Sequence, residues 1–145
     1  MYCNVIYYSM SNSRFSISVH ILSLLAAAGE APLSSGYIAG SININPVLVR
    51  KELINLRNHG LIDSKEGKNG GSWLAKPANQ IKLSQVYDMV QQTPIMGQTK
   101  NIPNPDCHIG KQINTHLDSL YKDVENTLRN KLSKTTLADF TKQFK

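Results

Sequence analysis

The stretch 34–76 constrains the fold more than any other part of this chain. In SSGYIAGSI, the apolar Ile38, Ala39 and Ile42 recur at helical spacing behind Ser34 and Ser35, whose hydroxyls suit the orphan amides of a first turn. Ala39 is small enough to let a second helix cross closely. Asn43-Ile44-Asn45 then reads as a tight polar connection. Asn45 before Pro46 is a helix start, because proline at the first helical position gives up only an amide that would be unpaired anyway. In this second helix Val49, Leu53 and Leu56 follow the 3.6-residue period and face inward, which turns Val47, Arg50, Lys51 and Ile54 to the side or outside. Gly60 supplies a left-handed stop. Residues 61–65 and 72–76 read as two strands around the tip Glu66-Gly67-Lys68-Asn69-Gly70-Gly71.

Two short helices followed by a two-stranded ribbon whose glycine-rich tip carries basic residues form a winged helix-turn-helix, and such a unit points to DNA. Helix-turn-helix spacing alone is common in helical proteins that never touch DNA; the ribbon shifts the balance. A glycine-rich tip could instead cradle a phosphate, but that needs a helix after the loop, and here a strand follows. Trp73 is read as an anchor of the ribbon on the helices rather than as a base-stacking residue.

The combination of SRFSISVHILSLLA, IAGSININPVLVRKELINLRNHGLIDSKEGKNGGSWLAKP, IKLSQVYDMVQ, PNPDCHIG and KTTLADF resembles the Rrf family of bacterial winged-helix regulators, over about residues 13–140. It is most similar to the YwnA-like branch, which shares the NPVVVR-type helix start and a single cysteine in an NPxCxxG segment. The resemblance implies a homodimer with a long dimerisation helix, most often a transcriptional repressor. Some members sense through an iron–sulfur cluster held by three cysteines after the wing. This chain departs there, since the segment contains only Cys107.

The chain has 145 residues, 41% hydrophobic and 18% charged, enough for one compact domain plus an extra helix. Its net charge of +6 and pI near 9.4 suit a polyanionic partner. The charge is unevenly spread. Residues 34–76 hold six Lys or Arg against three acids, and residues 109–145 hold seven against four.

Arg14, the apolar run 17–25 and Ala26-Ala27-Ala28 mimic a secretory signal. Ser18, His20 and Ser23 interrupt that run at helical intervals and it is too short to span a bilayer, so residues 13–28 are expected as the first core helix, with no membrane partner. Residues 1–12 are expected as a disordered or non-native leader, with Met10 as an alternative start. Cys3 and Cys107 are too few for a disulfide framework and suit a reducing cytoplasm. His20, His59, His108 and His116 show neither HxxxH nor CxxC spacing, so no metal ligands are assigned and no cofactor is expected. His59 is expected to bond the last carbonyls of its helix. No carboxylate pair, triad or phosphate loop is present, so no catalytic residue is assigned and the chain is not read as an enzyme.

From Ile109 onward, Ile113, Leu117, Leu120, Val124, Leu128 and Leu132 continue one apolar stripe at spacings of three and four, which must be buried against another element or a partner chain. Thr135 or Thr136 then caps a last helix over 137–144, with Asp139 placed for a capping box and Leu137 and Phe140 closing the core.

The expectation is a mainly α fold with a small antiparallel ribbon: leader 1–12, winged helix 13–92, linker 93–108, and dimerisation and C-terminal helices 109–145. The partners are a roughly palindromic double-stranded DNA operator and a second copy of the chain. The residues placed at DNA are Arg14, Asn45, Val47, Arg50, Lys51, Lys65, Lys68, Asn69, Gly70 and Gly71. Those placed at the dimer seam are Ile113, Leu117, Leu120, Val124 and Leu128. Cys107 is the candidate redox or electrophile sensor, since a protonated His108 and a helix start near Ile109 would favour the thiolate. A small-molecule effector is the other route for a signal. The competing reading is a winged-helix module that binds an acidic protein without specific DNA binding.

Overall fold

The computed structural model describes residues 3–91, 93–97 and 101–144, with side chains described from Ser13 onward. Six helices and one two-stranded sheet follow in the order α1 (Cys3–Ala28), α2 (Ser35–Ile42), α3 (Pro46–Asn58), β1 (Ile62–Lys65), β2 (Gly71–Leu74), α4 (Leu83–Val90), α5 (Gly110–Ser133) and α6 (Leu137–Thr141). A single 3-10 turn, Ala78–Gln80, leads into α4.

Helix α1 starts well upstream of the expected Ser13, and the backbone over residues 3–12, expected as a disordered leader, is helical. No proline or glycine interrupts that stretch, so nothing local stops the helix from extending. From Ser18 onward its inner face is regular: Ser18, Val19, Ile21, Leu22 and Leu25 are buried, at steps of three and four. Among the described residues no helix is long and apolar enough to cross a membrane.

The helix-turn-helix forms as its caps dictate. Ser34 Oγ accepts from Tyr37 N at 3.1 Å to open α2, and Asn43 closes it in the left-handed region at φ 61°. Asn45 Oδ1 accepts from Val47 N at 2.9 Å, with Pro46 at the first helical position of α3. Val49 and Leu56 are fully buried and Leu53 packs against the same core.

The ribbon is shorter than expected. Its register pairs Ile62 with Leu74, Asp63 with Trp73, Ser64 with Ser72 and Lys65 with Gly71, so Gly71 opens β2 instead of belonging to the tip. Leu33 adds a bridge on the open side of β2, exchanging backbone hydrogen bonds of 3.0 and 2.9 Å with Ser72. That close approach requires glycine at 71, where φ is +148° and a Cβ would lie 2.7 Å from the Leu33 carbonyl oxygen. Gly70 is equally confined, against the Lys65 carbonyl. Trp73 is half-buried.

The last helix does not extend the linker and dimer segment as a separate unit. Leu137 is fully buried in the same core as Ile21, Leu22, Ile38 and Leu56. Leu83 N donates to Thr135 O at 3.0 Å and Leu137 N to Ile81 O at 2.8 Å, stitching the chain end to the start of α4. The winged-helix core therefore includes α6, beyond the expected 13–92. Thr136 and Asp139 form the expected capping box, but α6 ends at Thr141, short of the expected 144. Phe140 packs on the core and meets Phe144 edge to face at 5.5 Å.

Helix α5 lies against α4 through polar contacts. Tyr87 O–H donates to Glu125 Oε1 at 2.8 Å, Arg129 Nε donates to Asp88 Oδ1 at 2.8 Å, and the Arg129 guanidinium sits 5.9 Å from the centre of the Tyr87 ring. Burial, and then the bond to Glu125, push the Tyr87 hydroxyl well above the usual phenol range, so it stays protonated as a donor. Only at its C-terminal end does the apolar stripe of α5 reach the core, through Leu132.

Candidate nucleic-acid interface

Helix α3 presents two unlike faces. The period that buries Val49, Leu53 and Leu56 sends Val47, Arg50, Lys51, Ile54 and Asn58 to the opposite side, and all five are exposed, Val47 by 54% and Ile54 by 51%. Exposed valine and isoleucine on a basic helix offer apolar contact to a thymine methyl, while Arg50 and Lys51 offer cations to guanine edges or phosphates. Ile54 and Asn58 were not picked out as contact candidates from sequence, although the helical period that selected Val47 and Arg50 marks them too.

Asn45 is exposed at the start of α3, but its Oδ1 is occupied by the cap, which leaves its Nδ2 amide for a base edge. Lys65, Lys68 and Asn69 are exposed on the wing, with Asn69 in the left-handed region at φ 65°. Gly70 and Gly71 are half-buried backbone positions at the base of the tip, held by Lys65 and Leu33, and therefore shape the wing from behind. Among the described residues, none of Arg50, Lys51, Lys65 and Lys68 is paired with a carboxylate.

Arg14, expected at DNA, is turned elsewhere. Its Nε lies 2.6 Å from Glu52 Oε1, and Ser18 Oγ donates to Glu52 Oε2 at 3.2 Å, so the guanidinium is committed to a carboxylate buried between α1 and α3. The sequence carries no sign of this pairing, since Glu52 follows Arg50 and Lys51 and looks like part of a solvated charged run. Arg57, also unassigned from sequence, ties α3 to the wing through a 3.1 Å bond from Nη1 to Ser64 Oγ. His59 Nδ1 lies 2.8 Å from Asn55 O, the carbonyl partner expected for it.

On α5, Leu120 and Val124 are exposed, by 54% and 38%, while Ile113, Leu117 and Leu128 are half-buried. A shallow groove of about 480 Å³ beside them is lined by Asp123, Val124, Thr127, Leu128 and Lys131. A second, charged cleft of about 470 Å³ lies between α5 and the segment after α4, bounded by Pro94, Met96, Asp118, Tyr121, Lys122, Glu125 and Arg129 among others. Cys107 is exposed just before α5, and its Sγ accepts from Gly110 N at 3.3 Å.

A helix-turn-helix with an exposed basic recognition face, followed by a glycine-rich β-hairpin that carries exposed Lys65 and Lys68, defines a winged-helix DNA-binding regulator. The chain belongs to the Rrf2 family, described as an iron-dependent transcriptional regulator, which it matches over residues 11–143. It is 36% identical over 130 residues to YwnA of Bacillus subtilis (strain 168), named as an HTH-type transcriptional regulator, covering 90% of this chain and 96% of that one. Its fold is similar to a Lactobacillus plantarum protein described as a transcriptional regulator, with TM-score 0.76, 27% identity and coverage of 88% and 87% of the two chains. IscR of T. potens is similar at TM-score 0.68 and 25% identity, over 92% of this chain and 86% of that one.

The family description implies iron, and the donor set of this chain does not fit it. The sequence holds two cysteines, and among the described residues no three His, Cys, Asp or Glu side chains stand close enough to share a metal ion. One exposed thiol beside His108 falls short of the four ligands an iron–sulfur cluster needs.

Proposed function

We propose that this chain represses transcription as a homodimer on a roughly palindromic operator. The observation that carries this reading is the outward face of α3, where exposed Val47, Arg50 and Lys51 stand without carboxylate partners. Asn45, Val47 and Arg50 read base edges, Lys51 anchors phosphate, and Lys65, Lys68 and Asn69 of the wing touch the backbone or minor groove. The open Leu120 and Val124, with Ile113, Leu117 and Leu128 beside them, form the seam between two copies. A gel shift on DNA from upstream of its own gene, repeated across salt concentrations, tests the reading. A discrete complex whose log affinity falls linearly with log salt supports it. No complex at any salt returns the chain to the alternative of a protein-binding module.

The exposed sulfur of Cys107 at the start of α5 favours this residue as the place where a signal acts. Oxidation or alkylation there would alter how α5 leaves the linker. Treatment with a mild oxidant or an electrophile should weaken operator binding by the native chain and spare Cys107→Ser. Equal loss in both proteins, or loss in neither, removes Cys107 and leaves a small-molecule effector or constitutive repression.

A further inference from the structure

We infer that Glu52 is a positioning residue for DNA readout: held by Arg14 and Ser18 of α1, it sets the rotation of the recognition helix and so aims its outward face at the groove. The inference rests on the reading of α3 as the DNA-contacting helix.

Glu52 lies three residues after Val49 and four before Leu56, which puts it on one flank of the face that α3 buries, and it is only 6% exposed. An apolar residue there would satisfy packing. A carboxylate in that place is unfavourable unless it is paired, and both of its oxygens are engaged from a single neighbouring helix: Arg14 Nε at 2.6 Å from Oε1 and Ser18 Oγ at 3.2 Å from Oε2. Ser18 is itself fully buried and the Arg14 side chain keeps 27% of its exposure, so the contact is partly shielded from water and from salt.

Such a pair does something that apolar packing does not. Leucine and valine pack without directional demands, so an apolar face can repack against its neighbour in more than one arrangement. A carboxylate with two directional partners tolerates one arrangement. Turning α3 about its axis would leave Glu52, Arg14 or Ser18 buried and unpaired. The same rotation would swing Val47, Arg50 and Ile54, on the opposite side of α3, across the mouth of the groove. Arg14 and Ser18 thus act through Glu52 and touch no DNA. Arg57 adds a bond from α3 to the wing at Ser64.

The test uses full-length protein, a duplex selected from a random-sequence pool by the native chain, and a scrambled duplex of equal composition. Replacing the pair with apolar residues, Arg14→Leu with Glu52→Leu, removes the directional contact and keeps the face packed. This variant should stay folded, with a thermal midpoint at or above that of the native chain. Its affinity for the selected duplex should fall at least about tenfold while binding to the scrambled duplex stays within about twofold, with the salt slope unchanged. Glu52→Gln keeps hydrogen-bonding capacity without the charge. It should show the same selective loss to a smaller degree, and it decides the matter if the double variant does not fold.

A retained preference in the folded variants overturns the inference. Parallel loss on both duplexes, with a salt slope smaller by about one, also overturns it, because Arg14 would then be a phosphate contact. If the native chain enriches no sequence from the pool, the DNA reading itself fails, and the positioning role falls with it.

Discussion

Arg50 on α3 and Lys68 on the wing tip stand on different elements, and truncating them should have different consequences. Arg50 projects from the first turns of α3, the part that enters a major groove, where a bidentate guanine contact is worth about 1–3 kcal/mol. Arg50→Ala should therefore weaken operator binding by that amount and relax discrimination at one base pair; unchanged affinity at physiological salt would take Arg50 out of the readout. Lys68 sits on a tip whose backbone turns through Gly67 and Asn69, both at positive φ, and offers a mobile point charge. Lys68→Ala should weaken binding to all sequences alike and lower the magnitude of the salt slope by about 1. An unaltered slope would place the wing off the DNA.

At the scale of elements, α6 illustrates how a short helix is held. Thr136 Oγ accepts from Asp139 N at 3.1 Å and Asp139 Oδ2 accepts from Thr136 N at 3.3 Å. The Thr136 hydroxyl first, and its backbone N–H second, hold the Asp139 carboxyl below its ordinary range. A carboxyl depressed in this way adds stability that is present above its unfolded value and is lost as pH falls through the lowered folded value. Thr136→Ala should cost about 1 kcal/mol near neutral pH, measured by urea unfolding. The gap between native and variant should narrow on acidification; a gap constant with pH would mean that the box contributes nothing beyond the hydroxyl cap. Because Leu137 lies in the central core and Leu83 and Ile81 bond to residues 135 and 137, loosening α6 also loosens the entry to α4.

The whole molecule has its basic reading head at one place and a long, partly apolar helix at another. Helix α5 is gripped by α4 through Tyr87, Glu125, Asp88 and Arg129, and this polar grip leaves Leu120 and Val124 open. If a second copy covers them, a charge there would stand uncompensated in an apolar seam. Leu120→Asp or Val124→Asp should convert a sedimenting dimer into folded monomer at low micromolar concentration and abolish binding to a two-fold site. Folded dimers in both variants would move the interface elsewhere on the molecule. Cys107 lies where the linker enters α5, the place at which the proposed signal would act.

The local signals in this sequence were strong enough to determine the elements. Ser34, Asn45-Pro46 and Thr136 cap helices where their side chains can reach free amides, and the periods of α3 and α5 separate apolar from polar faces; each is a relation between residues a few positions apart. Strand ends were less legible, because the place of Gly71 in the ladder depends on Leu33, distant in sequence but adjacent in space. The packing of Leu137 and Phe140 on the core, by contrast, follows from their places behind the Thr136 cap, and the extension of α1 upstream of Ser13 agrees with a stretch free of proline and glycine. The candidate interface divides in the same way. Exposure of Val47, Arg50, Lys51, Lys65 and Lys68 follows from period and turn chemistry, whereas the fate of Arg14 was decided by tertiary structure alone. A guanidinium pairs with whichever carboxylate the fold brings to it, and only the crossing of α1 over α3 brings Glu52 there.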